Sequence, residues 1–313
     1  MAQLAKIGTL STAGSRARRR REAIIGILWT MPWLLGFLMF ALGPVLASLY
    51  LSFNQYSIGG TPIWLGLDNY VKALSGADNL FWPSVGHTFE YALIMVPVGI
   101  VCSLLIAIGL NQRLRLTPIL RTAYFLPSLT PIVASALIWT WLFQPEFGAV
   151  NWVLSLIKVH GSLWLSDSGT ALSSLMIIGL WGSVGGSTMI IFLAGLQGVP
   201  AELLEAAQID GAGRWTRFRH VTVPMLSPTI LFNLIIGIVG ALQVFTVAVV
   251  ATQGGPNYST WFFILHLYTN GFINFDMGYA SALAWIFLVI VLLITLVNVR
   301  LSNRWVYYEG ESR

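Results

Sequence analysis

Charge is what this 313-residue sequence has least of: Asp, Glu, Lys and Arg make up 9% of it, against 56% hydrophobic residues. Soluble domains carry roughly a quarter charged residues, so an ordinary soluble fold is excluded. A single cysteine, Cys102, rules out an intrachain disulfide; it lies in an apolar run, where a thiol serves as a small core residue. The phosphate-loop pattern Gly-x4-Gly-Lys-Ser/Thr is missing, and with it that mode of nucleotide binding. His-Glu-x-x-His and Gly-x-Ser-x-Gly are missing as well, and His87, His160, His220 and His266 are scattered. The sequence therefore offers no metal site and no hydrolase centre.

What is present is long apolar sequence. A helix needs about 20 apolar residues to cross a bilayer, and six stretches qualify: 24–52, 87–110, 119–143, 171–196, 226–251 and 278–300. No barrel-type alternation occurs, and unpaired backbone is not tolerated in lipid, so the expected architecture is an all-α membrane bundle of six spans. The run Thr260–Tyr268 is too short to cross and reads as a surface or re-entrant helix, as does Asn151–Leu165. An arginine-rich start before an apolar stretch also suggests a cleaved export signal, but the stretch is too long for one and five more spans follow.

Positive charge is placed asymmetrically. Of 17 Lys and Arg, all but Lys72 and Lys158 fall on one side of the expected bundle. They comprise Lys6, Arg16 and Arg18–Arg21 in the first tail, then Arg113, Arg115 and Arg121, then Arg214, Arg217 and Arg219, and finally Arg300, Arg304 and Arg313. The positive-inside rule puts that side, with both termini, in the cytoplasm. The net charge of +5 is this topological bias, so nucleic-acid binding is not inferred.

Between the fourth and fifth stretches runs a polar segment, Glu205-Ala206-Ala207-Gln208-Ile209-Asp210-Gly211-Ala212-Gly213, continuing through Arg214, Arg217 and Arg219 to Val221-Thr222-Val223-Pro224. Pro200 starts a short helix to Ile209, with Glu202 and Glu205 near its positive end. Ala206 and Ala207 let another surface approach the backbone closely, and Asp210-Gly211 supplies a turn. A second short helix is expected from about Gly213 to Val221, ending before Pro224. Such a loop suits a protein partner or, as a plain loop, pairs its arginines with lipid headgroups.

Elsewhere, Gly182, Gly185, Gly186 and Ser187, and Gly237, Gly240 and Ala241, permit close helix packing or leave room for a substrate. Gly254-Gly255-Pro256 ends the fifth stretch. Glu90, beside His87, is either an interfacial carboxylate or the ion-coupling group of a stand-alone secondary transporter or channel.

Glu-Ala-Ala, three residues, Gly211, nine residues, then an aliphatic, one residue and an aliphatic-Pro pair resembles the EAA loop of importer permeases of the ATP-binding cassette (ABC) class. Further likeness lies in Arg121-Thr122-Ala123-Tyr124-Phe125-Leu126-Pro127, Ile138-Trp139, Phe147-Gly148-Ala149-Val150-Asn151, Gln243-Val244-Phe245, Gly254-Gly255-Pro256 and Phe275-Asp276-Met277-Gly278-Tyr279-Ala280-Ser281-Ala282. These cover about residues 85–305 and are similar to the binding-protein-dependent (MetI-like) permeases, in the carbohydrate-uptake branch of the MalF, LacF and UgpA style.

The resemblance implies a type I importer fold divided into a basic tail (1–23), a first helix (24–52), an outer loop (53–86), a five-helix core (87–305) holding a coupling loop (197–225), and a tail (306–313). It implies a non-catalytic translocation subunit for a sugar, oligosaccharide or polyol phosphate, working by alternating access. Its implied partners are a second, dissimilar permease, two ATPase subunits that bind ATP and Mg, an extracytoplasmic solute-binding protein, membrane lipid and the carbohydrate. ATPase coupling would fall to Glu205, Ala206, Ala207, Asp210, Gly211, Ala212 and Arg214. The implied substrate pathway is Trp181, Ser183, Val184 and Ser187, with Gly237, Gly240, Ala241, Gln243, Val244 and Phe245.

Overall fold

The computed structural model describes residues 11–112 and 115–307; Lys6, Arg113 and Arg313 of the charge count lie outside them, as does most of the 306–313 tail. Helix α1 (Ser11–Phe37) passes through a π-helical turn (Leu38–Leu42) into α2 (Gly43–Ser52). Pro44 removes the hydrogen bond an α-helix would direct to Phe40, and the wider turn absorbs the misfit. Helix is continuous over Arg18–Ser52, beginning before the expected residue 24. Only the α2 portion packs, against the final helix.

A short hairpin follows, with β1 (Asn54–Gln55) antiparallel to β2 (Ile63–Trp64), and then α3 (Asp68–Leu74). Buried Asn69 donates from Nδ2 to the carbonyls of Ser52 and Asn54, each at 3.0 Å, tying α3 to the end of α2. Helix α4 (Phe81–Leu110) is the axis of the molecule. Its Phe81 joins a core cluster with Phe263, Tyr279 and Leu283, and its Tyr91 and Met95 join one with Leu175, Ile178, Val247 and Phe262. Ala107 and Leu110, at its far end, pack with Met189, Phe192 and Leu193.

Two of the expected spans are each sharply bent at a break between two helices. Residues 119–143 divide into α5 (Thr117–Leu129) and α6 (Ile132–Leu142), bent by 95°. Proline disfavours helical geometry in the residue before it, and Thr130, preceding Pro131, is extended at ψ 128°. After α7 (Ala149–Leu156), residues 171–196 divide into α8 (Ala171–Ser183) and α9 (Ser187–Gln197), bent by 50°. Gly185 there has φ +90°, and a Cβ on it would sit 2.7 Å from the Tyr124 carbonyl oxygen. Glycine is thus required both by the backbone angle and by the approach of α5. Among the described residues, four helices are long and apolar enough to cross a membrane, and each bent pair would add one.

The surface helix expected over Asn151–Leu165 is helical only within α7, with a single 3-10 turn at Trp164–Ser166. Asn151 explains the rest: its side chain bonds the Pro145 and Ser162 carbonyls, the Ser162 amide and the Trp164 indole, folding the segment back as an irregular loop.

Helix α10 (Ala201–Ile209) leads by a turn to α11 (Arg214–Arg217). The expected stop before Pro224 does not occur. Helix runs on through a π-helical turn (Phe218–Thr222) into α12 (Val223–Leu242): Pro224 lacks the hydrogen bond an α-helix would direct to the His220 carbonyl, and the wider turn before it absorbs the misfit, as at Pro44. Then come α13 (Thr246–Ala251), α14 (Phe263–Tyr268) with a π-helical turn to Ile273, and α15 (Met277–Ser302). Asp276 caps α15 by accepting from the Tyr279 amide at 3.2 Å. Beyond α15 the buried Val306 and the Tyr307 amide, which donates to Ser227 Oγ at 2.8 Å, tie the chain to the base of α12.

Candidate functional site

Two regions hold the residues singled out from sequence. In the first, α10 ends in a Schellman arrangement: the Gly211 amide donates to the Gln208 carbonyl at 3.1 Å and the Ala212 amide to the Ala207 carbonyl at 2.9 Å. Gly211 carries the left-handed angle this cap needs, φ +81°. A Cβ on Gly211 would touch nothing within 4 Å, so glycine is needed for backbone angle, not for space.

Arg217 clamps the two limbs, donating to Gln208 Oε1 at 2.8 Å. Glu205, Ala206, Asp210 and Arg214 are exposed, and Ala207 and Ala212 half-buried. Ile209 is 86% and Trp215 71% exposed; together with exposed Leu203 they give the loop an apolar surface that its own chain does not cover.

The second region is a cavity of about 500 Å³ inside the bundle, within the roughly 300–1,000 Å³ usual for small-molecule sites. Three helix interruptions converge on it: Thr130 and Ile132 at the α5/α6 bend, Gly182 and Ser183 at the α8/α9 bend, and Gln243–Thr246 between α12 and α13. Irregular backbone at membrane depth is tolerated where it lines a cavity, which accounts for all three lying here.

Of the ten pathway residues expected from the resemblance, Ser183, Gly237, Gly240, Ala241, Gln243, Val244 and Phe245 line the cavity. Trp181, Val184 and Ser187 do not; Trp181 meets Trp139 edge-on at 6.1 Å. Trp181 shares α8 with the wall residues Ile178, Gly179, Gly182 and Ser183 but falls on another face of that helix, toward Trp139.

Glycines resolve into two kinds. A Cβ on Gly179 would collide with the Tyr91 hydroxyl and lie 2.7 Å from Met95 Cε, whereas Gly182 and Gly240 have nothing within 4 Å. The former is close packing; the latter two border empty space.

Sequence reasoning missed Tyr91, Ser128, Thr130, Ser135, Thr188, Asn233 and Thr246, all on the wall. Asn233, buried in the middle of α12, was findable as a polar residue at membrane depth. Among the described residues, no Asp, Glu, Lys, Arg or His lines the cavity, and no group of three or more His, Cys, Asp or Glu is placed to hold a metal. Glu90 is exposed and is not on the wall.

The sequence model of the binding-protein-dependent transport system inner membrane component matches residues 99–307, which include the Glu205 loop and all of the cavity wall but Tyr91, Met95 and Val96. The chain belongs to that family of ABC transporter permeases. Among its permease relatives, the probable ABC transporter permease protein YesP of Bacillus subtilis is 40% identical over 296 residues, covering 93% of this chain and 94% of YesP. The trehalose/maltose transport system permease protein MalF of Thermococcus litoralis is 33% identical, covering 90% and 95%. In fold, the permease resembles a chain of a bacterial ABC transporter that imports the acidic polysaccharide alginate, with TM-score 0.80, 23% identity, and coverage of 92% and 98%.

Proposed function

We propose that this chain is a membrane translocation subunit of an ATP-driven carbohydrate importer, receiving work from a separate ATPase through the Glu205 loop. The observation that carries this reading is the loop itself: a capped helix with Leu203 and Ile209 exposed beside a carboxylate, and Trp215 of the next helix exposed with them. That is the composition of a docking surface with an apolar core and a polar edge. Glu205 pairs with a basic group of the ATPase, Ala206 and Ala207 seat the helix against it, and Gly211 holds the turn. The loop faces the cytoplasm, as do both termini, because nearly all the cations lie on that side.

The cavity is this subunit's share of the passage. Its wall mixes hydroxyls and amides with aromatic faces and no ion, a lining suited to an uncharged, polyhydroxylated cargo rather than to a sugar phosphate. Relatives named for trehalose, maltose and arabinooligosaccharides support the same class. A sister permease completes the passage, a solute-binding protein delivers cargo at the opposite end, and two ATPases bind ATP and Mg. Rocking of the two helical bodies about the cavity exposes it to each side in turn.

Affinity purification of the tagged chain from its own membranes in mild detergent tests the reading. A co-purifying nucleotide-binding chain and a second permease are expected, with ATP-dependent uptake on reconstitution. Gradient-driven uptake by the lone chain, with no ATPase attached, would overturn it.

A further inference from the structure

At the end of α15 away from the Glu205 loop lies a cluster that the transport reading does not use. His266 of α14 is 3% exposed, and its Nε2 lies 2.8 Å from Asp78 Oδ2. The Tyr279 hydroxyl donates to the same oxygen at 2.6 Å. On the other side of the ring, the Trp261 indole nitrogen stands 3.1 Å from His266 Nδ1.

An indole N–H only donates, so Nδ1 must accept and carries no proton. His266 is therefore the neutral tautomer, giving its Nε2 proton to an ionised Asp78. Protonation at Nδ1 would set one N–H against another and break the bond from Trp261.

This ring supports the cavity. Two residues along α14, Tyr268 meets Phe245 of the wall at 5.1 Å between ring centroids. Phe262, next to Trp261, meets Tyr91 of the wall edge-on at 5.3 Å. Trp261 itself fills the space left by Gly254, where a Cβ would collide with the indole. Segment 254–268 thus backs two aromatic residues of the wall; the Phe263 amide fastens it to Thr88 of α4 at 2.9 Å, and His266 fastens it to Asp78.

We propose that His266 is a positioning residue for the cavity, holding Trp261 and α14 in place only while its imidazole is neutral. Its meaning for transport rests on the importer reading above; its chemistry does not.

Helix α14 packs against α4 and α15. Ionisable groups on the surrounding elements include Asp78 before α4, His87, Glu90 and Tyr91 on α4, Lys72 on α3, and Asp276 and Tyr279 at the start of α15. Lys72 lies over the Tyr279 ring and 3.6 Å from Asp276, adding positive charge near the imidazole. Burial pushes the His266 pKa down; Asp78 opposes this, Lys72 adds to it, and the net direction is downward. Burial raises the Asp78 pKa, but its bonds from Tyr279 and the Leu80 amide and its pairing with His266 outweigh that and hold it below the ordinary carboxylate value. A histidine with a lowered pKa excludes a proton from the closed arrangement. That arrangement is fully stable above the ordinary imidazole value of about 6.5 and is progressively lost as pH falls below it.

The test uses the full-length chain in lipid nanodiscs, without cargo or ATPase, and reads hydrogen exchange of the 261–268 amides, corrected for intrinsic rates. Between about pH 7.5 and about pH 5.5, one unit either side of the ordinary value, wild-type protection should fall several-fold, approaching about tenfold. His266→Gln, which can still donate to Asp78 and accept from Trp261, should flatten the profile. Trp261→Phe, which removes the opposing donor, should make it shallower whether or not the Gln variant folds. A flat wild-type profile, a Gln variant with the wild-type slope, or full slope in Trp261→Phe would each overturn the proposal. Since no transport is measured, failure to find an ATPase would leave this result standing, and the reverse.

Discussion

Whereas the Glu205 loop completes its cap within a dozen neighbouring residues and turns apolar side chains outward, the cavity takes its wall from seven helices and three interruptions. A substitution in the loop leaves the rest of the molecule nearly untouched, because little else leans on it. A substitution in the wall meets either a packed neighbour or open space, and residue type does not say which. Surface and interior therefore respond to different kinds of change, and glycine separates them best.

The largest effect is expected at Gly211. Gly211→Val forces a β-branched residue to φ +81°, a strain of order 1–3 kcal/mol. ATP-dependent uptake should fall roughly 10- to 100-fold while size-exclusion behaviour and thermal midpoint stay close to wild type; normal uptake would dissolve the contrast.

Next comes a pair inside the wall. Gly179→Ala drives a methyl into Tyr91 and Met95 and should cost about 1–3 kcal/mol of stability, read as a lower thermal midpoint. Gly240→Leu grows into open space and should leave the midpoint near wild type while blocking uptake. Equal destabilisation by both would show that the cavity is not empty in the working protein.

Gln243→Ala removes one amide from the wall and forfeits about 0.5–1.5 kcal/mol of cargo hydrogen bonding. This should appear as a roughly 2- to 12-fold rise in the apparent KM of uptake with little change in maximal rate. Smallest of all, Arg217→Ala loses one partly exposed bond to Gln208 and should change uptake by no more than about twofold.

How far each region was legible in the sequence follows the same division. The loop's α10 and its Gly211 turn depend on neighbours in the chain, so Pro200, Glu205 and Asp210-Gly211 were enough to anticipate them. Hydropathy found where α4 and α15 lie but not that 119–143 and 171–196 are broken. A window average is blind to a bend, and only Thr130-Pro131 and Gly185-Gly186 carried local warning. Trp181, Val184 and Ser187 entered the pathway through the resemblance, which carries position in the chain but not the face of α8 or α9 on which each falls, and they stand off the cavity wall. Tyr91 and Phe262 meet only through tertiary packing, and nothing in their local sequence announces it. The same holds for the Asp78–His266 contact, which joins residues 188 positions apart.

One further consequence lies in the helix that did not stop before Pro224. From Arg214 to Leu242 the backbone is unbroken, a rod of about 40 Å at 1.5 Å per residue. Its first turn belongs to the loop, and its last two carry Gly237, Gly240 and Ala241. Because Tyr307 is fastened to Ser227, the end of α15 travels with the middle of that rod. A tilt imposed at Arg214 is therefore leverage on the cavity wall, with two helices as the arm and no chain of side-chain rearrangements needed in between.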